Sequence, residues 1–350
     1  MPRSTRLGLI AAAVLLLLLG GAYTAYWLIA ADRIREGIAA WAETMRGQGL
    51  DASWQGSRVA GYPFSFRLEL SRLRLRGAAA IGEFDLQAPK VAGSIRPWDF
   101  RDWTVTAPQG LDAALAQRQV PLARIAASAA TGAVSVLPAG DAAGVTRVWL
   151  SLDEASVEPA AEPTGRITAA TANFWATLPG SAPHSENDRS LDIAADLHGV
   201  GVPAVPAPFT GKMENVALGL SVMGTIPTGP PRQSADAWRR SGGTVELDHF
   251  NLGWGGLRVT GSGTAALDSD LQPVGAFSGA VAGYDQLLSG LVSAGRMRAN
   301  DAGLARVALG FLAKTGPDGR PQIQTSFTIQ NGQMYLGPVK LGPAPRIDWR

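Results

Sequence analysis

Residues 64–77 read FSFRLELSRLRLRG. Phe64, Phe66, Leu68 and Leu70 take every second place, with Ser65, Arg67 and Glu69 between them. A period of two belongs to a strand with one face against apolar matter and the other in water. At Ser71 and Arg72 the phase slips, and Leu73 and Leu75 resume on odd positions. The strand is therefore predicted to pass through a bulge or tight bend rather than to stop.

The same alternation recurs at 104–108, 133–138, 147–159, 166–179, 216–222, 244–254, 257–268 and 326–337. Gly (42 residues) and Pro (23 residues) fall between these segments and punctuate them as turns. In QNGQ, residues 330–333, the Asn-Gly pair suits a two-residue hairpin, because both residues tolerate positive φ. The pattern predicts a mainly β (α+β) fold: a curved antiparallel sheet, an open sandwich or a half-barrel over residues 50–350. Within it, 50–225 and 238–350 read as sub-modules. Connections at 179–189, 203–209 and 226–237 are rich in Pro, Gly and Ser and read as long loops. Two short helices are expected near the C-terminus, where Leu287, Leu288 and Leu291, then Leu304, Val307, Ala308, Phe311 and Leu312, recur at helical spacing; Gly316 follows as a stop.

Ahead of the strands, residues 7–31 are 25 in number and carry no charge. At about 1.5 Å each they make roughly 37 Å of helix, against a hydrocarbon core of about 30 Å. A cleavable signal has a shorter apolar run and small residues at its cleavage site, where this chain has Tyr23 between Ala22 and Ala25. Residues 1–31 are therefore expected to be a short tail and a permanent transmembrane anchor rather than a cleaved signal. Arg3 and Arg6 precede it, while Asp32, Arg33, Arg35 and Glu36 cancel after it. The positive-inside bias then leaves the N-terminus in the cytoplasm and the bulk of the chain in the periplasm, anchored to the inner membrane. Tyr23, Tyr26 and Trp27 lie at the exit, where such rings suit the headgroup level. Residues 32–49 follow as an amphipathic stalk helix, with Ile34, Ile38, Trp41 and Met45 on one side, read as packing on the following sheet in preference to pairing as a coiled coil.

Composition removes several functions. The chain has no Cys, hence no disulfide and no thiol chemistry. Net charge is +2 with only 17% charged residues, which argues against a nucleic-acid partner. His184, His198 and His249 are the only imidazoles, and they lack the spacing of a zinc site. Gly261, Gly263 and Ala266 form a G-x-G-x-x-A, but strand and turn follow where a dinucleotide site needs a helix. Asp268 and Asp270 sit in a turn that favours Asp for backbone bonding. Arg67, Arg72, Arg74 and Arg76 read as a solvated sheet face before a headgroup-binding patch, and the ten Trp as core before groove. No catalytic, cofactor-binding or metal-binding residue is expected, and no enzyme.

Three stretches carry a resemblance: GYPFSFRLEL from Gly61, the segment from Trp238 to Phe277 that contains VTGSGTAALDSD, and IQNGQMYLGPVKLGPAPRIDW from Ile329. They resemble the Gram-negative bacterial family known as domain of unknown function 2125, whose members are similar in carrying an N-terminal membrane segment. The strand-rich design is also distantly similar to AsmA-type envelope proteins, whose sheets carry lipids; this is a likeness of architecture. Two readings follow. Either the sheet binds a lipid or another envelope hydrophobe on an apolar face, or it is a structural or protein-interaction module of the envelope with no small ligand.

Overall fold

The apolar N-terminal run and the amphipathic segment after it form one helix. In the computed structural model, which describes residues 3–79, 82–139, 142–161, 165–203, 205, 208–316 and 319–349, α1 (Arg3–Gly47) passes unbroken through the charges at Asp32 to Glu36. From Val14 to Leu19 its apolar side chains are bare, with Leu16 and Leu17 70% and 75% exposed. From Trp27 onward one side is covered, in the order Trp27, Ala31, Ile34, Ile38, Ala42 and Met45. Steps of three and four keep these on a single helix face. Ala42, not Trp41, makes the contact, and Trp41 is left 40% exposed.

Beyond the apolar helix the chain divides into two compact units, at Thr131 and Gly132. The N-terminal unit holds β1 (Asp51–Ser53), β2 (Gly56–Ala60), β3 (Phe66–Ala79), β4 (Gly82–Arg96), β5 (Asp99–Ala107), β6 (Leu111–Gln117) and β7 (Val120–Ala127), and β8 (Ala129–Ala139) runs through the division. All of the following pairings are antiparallel. β3 is flanked by β1 and β2 on one edge and by β4 on the other; β4 then pairs with β5 and β6, and β6 with β7.

Strands β1, β2 and β3 lie against α1. At one end the Trp27 ring stacks on Phe66, with centroids 5.4 Å apart; at the other, Gly77 approaches Leu50 so closely that a Cβ there would lie 3.0 Å from the Leu50 Cδ1. Trp27, Ala31, Val59, Phe66 and Ile95 form the buried cluster between helix and strands. The sequence bend lies at Arg72, whose φ is 49°: Ser71 pairs with Lys90 and Leu73 with Ala88, leaving Arg72 and Pro89 out of the ladder. Proline has no N–H to give, so the kink falls where a ladder bond is already lost.

The C-terminal unit is a meander. β9 (Ala142–Pro159), β10 (Ile167–Leu178), β11 (Arg189–Gly201) and β12 (Lys212–Met223) are followed by α2 (Pro231–Arg240), then β13 (Val245–Trp254), β14 (Leu257–Leu267) and β15 (Pro273–Ala282). Next come α3 (Tyr284–Ser293), α4 (Ala299–Leu312), β16 (Lys314–Thr315), β17 (Pro321–Gln330), β18 (Gln333–Leu336) and β19 (Val339–Pro343). Each long strand pairs antiparallel with its sequence neighbour, and β15 crosses the helical insertion to β17. Asn331 and Gly332, with φ of 53° and 67°, make the tight turn between β17 and β18. The tail returns to the turn between β14 and β15, where the Trp349 indole N–H donates to the Leu271 carbonyl at 2.7 Å.

Two expectations change. Residues 226–237, read as loop, contain most of α2: Pro231 opens the helix where its missing N–H costs nothing, and Trp238 is buried, its indole N–H bonded to the Met223 carbonyl at 2.8 Å. In α4 the apolar spacing does not mark the packing face. Leu304, Val307 and Phe311 are 60–87% exposed, and Ala302 is buried instead. Of the second expected loop, residues 204, 206 and 207 lie outside the described residues.

Trp27→Ala should destabilise the N-terminal unit by about 3–5 kcal/mol, read as a lower denaturant midpoint for the full chain in micelles, whereas Leu17→Ala should stay within about 0.5 kcal/mol. A second test concerns pH. Arg74 grips Asp85 through Nε at 2.9 Å and Nη2 at 2.5 Å, with Arg76 Nε at 3.2 Å. That hydrogen bonding from Arg74, chiefly, lowers the Asp85 pKa to about 2. The folded state thus holds this proton less tightly than the unfolded chain, so the stabilisation is complete above about pH 4 and drains away as pH falls through the folded value. Asp85→Asn should flatten the acid limb of the unfolding free energy in that window.

Candidate functional site

Register across the C-terminal unit decides what each face carries. One row runs Val148, Ala176, Ile193, Leu220, Leu247, Gly263, Phe277, Phe327, Leu336, each residue opposite the next across nine strands. It has no polar side chain. At roughly 4.8 Å between strands the row is about 38 Å wide. A row of the opposite face, reached by moving one residue along, runs Arg147, Thr177, Asp192, Ser221, Glu246, Thr264, Ala276, Thr328, Tyr335. The sheet is two-faced, as alternation within each strand requires.

Among the described residues of the C-terminal unit, no second layer closes the apolar face. None of the nine residues in the first row is buried, and Val148, Ile193 and Leu336 are 37%, 40% and 42% exposed. The face deepens into a trough of about 430 Å³ over β13, β14, β15, β17 and β18, walled by Leu247, Phe250, Val259, Phe277, Phe327 and Leu336. No residue of α3 or α4 lines it. Its floor depends on glycine: a Cβ at Gly263 would stand 2.7 Å from Cδ1 of Phe277, and one at Gly275 3.0 Å from its Cε2. The Phe277 ring therefore lies flat over both, its centroid 5.9 Å from that of Phe327. An apolar concavity of this volume falls within the roughly 300–1,000 Å³ of small-molecule sites.

The polar face carries a different cluster. Ser221 is fully buried, and its hydroxyl lies 2.8 Å from an oxygen of Asp192 and 2.6 Å from one of Asp248. Arg189 stands 3.5 Å from both carboxylates. Asp248 reaches this position because β13 carries an extra residue where Gly219 faces His249 and Leu220 faces Leu247. The groups tie β11, β12 and β13 together by hydrogen bonds and charge.

The three imidazoles do not converge. His198 Nε2 lies 3.3 Å from Asp196 on an exposed stretch of β11, and the His249 ring covers Gly219. His184 uses its backbone N–H, which together with that of Ser185 holds the Asp188 carboxyl below its ordinary pKa. Among the described residues no three His, Asp or Glu side chains gather as metal ligands. Gly261, Gly263 and Ala266 lie within β14, which continues as strand to Leu267. Asp268 caps its own turn, accepting the N–H of Asp270 at 2.9 Å and of Gln272 at 2.8 Å. Arg74 and Arg76 are both paired to Asp85. Of the ten Trp, Trp27 and Trp238 are buried, and the trough walls are phenylalanine and aliphatic. Sequence reading missed the trough, since it arises from glycines set opposite phenylalanines across strands.

Fold and site together define a β-rich protein with one N-terminal helix that is long and apolar enough to cross a membrane, the one such helix among the described residues, and an open two-faced sheet. Residues 27–345 match the family described as "Uncharacterized protein conserved in bacteria (DUF2125)", and the chain belongs to that family. The match begins at Trp27, where α1 first packs on the sheet. No curated protein and no solved structure matches the chain.

Gly263→Ala forces its methyl against the Ala276 carbonyl and Phe277 and should cost about 1–3 kcal/mol. Gly303→Ala, in the open on α4, should instead add about 0.4–1 kcal/mol. Thermal melts of the two variants check both signs.

Proposed function

We propose that this is a non-catalytic, membrane-anchored protein of the bacterial cell envelope that holds the hydrocarbon chains of a lipid on the open face of its C-terminal sheet. The observation that carries the reading is the unbroken apolar row from Val148 to Leu336, left uncovered and deepened to a trough between Leu247 and Leu336. Apolar surface of this extent is costly to leave in water, at about 25 cal/mol per Å², and contiguous patches mark binding sites. An extended acyl chain suits it, because the face offers shape and dispersion contact but few hydrogen-bond partners.

The apolar half of α1 serves in this reading as a permanent anchor in the inner membrane. Arg3 and Arg6 hold the N-terminus in the cytoplasm, and the sheet stands in the periplasm, where lipid is at hand. The reading does not rest on the likeness to AsmA-type proteins, which is an analogy of architecture alone. A second reading, a docking module for another envelope protein, draws its support from α4, whose Leu304, Val307 and Phe311 project into solvent.

A photoreactive phenylalanine analogue placed at Phe327, on the apolar face, should cross-link phospholipid in membranes that contain the full chain. The same analogue at Ser326, one residue away on the polar face, should label it several-fold less. Equal labelling at both positions, or none, would end the lipid reading. A protein-sized adduct at Phe327 would put the docking module in its place.

A further inference from the structure

We propose that the N-terminal unit makes a second contact with the bilayer beside α1, through a foot formed by Tyr62, Phe64 and Trp98. The inference rests on the reading of α1 as a membrane span. The turn from Gly61 to Ser65 is closed by the Ser65 N–H on the Gly61 carbonyl at 2.9 Å, and Gly61 has φ of 99° where a Cβ would strike the Ser65 carbonyl. That turn is fixed to the helix at a definite height. Tyr23 donates its hydroxyl to the Pro63 carbonyl, the Thr24 and Tyr62 hydroxyls are 2.7 Å apart, and Trp27 donates its indole N–H to the Ser65 carbonyl at 3.2 Å. The Trp27 ring meets Tyr62 edge-on, with centroids 5.5 Å apart.

Helix length then sets where the bilayer ends. From Leu7 to Ala22 the uncharged helix measures about 24 Å, short of a hydrocarbon core of about 30 Å. The remaining depth has to be filled at the level of Tyr23 to Trp27, which is the level of the turn. There Tyr62 and Phe64 are 52% and 72% exposed. The hairpin between β4 and β5 ends on the same side, because Ile95 pairs with Phe66 and Arg96 with Asp99; its tip presents Trp98, 64% exposed. Arg67 and Arg96, both exposed, flank these rings. Aromatic rings among basic side chains suit the boundary between acyl chains and anionic headgroups. Anchored at two places, the N-terminal unit stands upright on the membrane instead of swinging on a single helix.

The chain has no Cys, so Phe64→Cys carries the sole thiol and takes an environment-sensitive nitrobenzoxadiazole label. The labelled full chain is reconstituted in phosphatidylethanolamine–phosphatidylglycerol vesicles, with matching samples at Val120→Cys and Leu17→Cys. The expected result is blue-shifted emission at position 64, quenched several-fold more strongly by lipid spin-labelled near the headgroup than emission at position 120, which aqueous iodide quenches instead. Iodide quenching at 64 equal to that at 120 overturns the foot, as does protection from both quenchers, which would mean that protein covers it. Position 17 separates the two levels of the argument: quenching there by deep spin label with none at 64 defeats the foot and leaves the span, whereas no quenching at 17 defeats both. Trp98→Cys repeats the test from the second side of the foot.

Discussion

The hydrogen-bonded ladder, more than a core, holds the C-terminal unit together. Among its described residues only thirteen apolar ones are buried and six of those are alanine, while many of its large apolar side chains stay half-exposed along one face. A net gain of only about 0.5–1.5 kcal/mol per hydrogen bond has to be collected over many pairs. The strands are accordingly long and paired with sequence neighbours, a topology that keeps loop-closure costs low. Register matters twice over, since a slip of one residue in any strand would put its polar side chains into the apolar row. Bulges appear where that alternation would otherwise fail. The extra residue at Asp248 keeps Leu247 and Phe250 on one face while sending a carboxylate to Ser221 on the other.

The N-terminal unit solves a different problem, that of joining a greasy helix to a sheet. Trp27 does so by serving both. Its ring is stacked on Phe66 and edged by Tyr62, and its one polar atom is satisfied by the Ser65 carbonyl, so that an indole can be buried there without an orphaned N–H. Along the same helix Ala31 and Ala42 are small and buried. The helix thereby packs on the first strands of the unit.

What the sequence disclosed was what is local. Alternation in residues 64–77, the phase slip at Arg72 and the Asn331–Gly332 turn are all properties of neighbouring residues, and each has its counterpart in the backbone. Helix α2 was hidden because Pro230 and Pro231 resemble loop composition, although a proline in a first turn and Trp238 one face further on were available as signs. Relations between strands were out of reach. Arg76 lies directly opposite Asp85 only once β3 and β4 are in register, and the trough exists only because Gly263 falls between Leu247 and Phe277.

The meander has a consequence for how such a protein can change its dimensions. Because consecutive strands sit side by side, a duplicated hairpin could be inserted between β9 and β15 without rerouting any other part of the chain. Each insertion would widen the greasy strip by about 10 Å and conserve the parity of both faces. Capacity for longer or more numerous tails is thus a modular property of this architecture, adjustable by gene-level duplication of a two-strand unit while the foothold at Trp27 is left untouched.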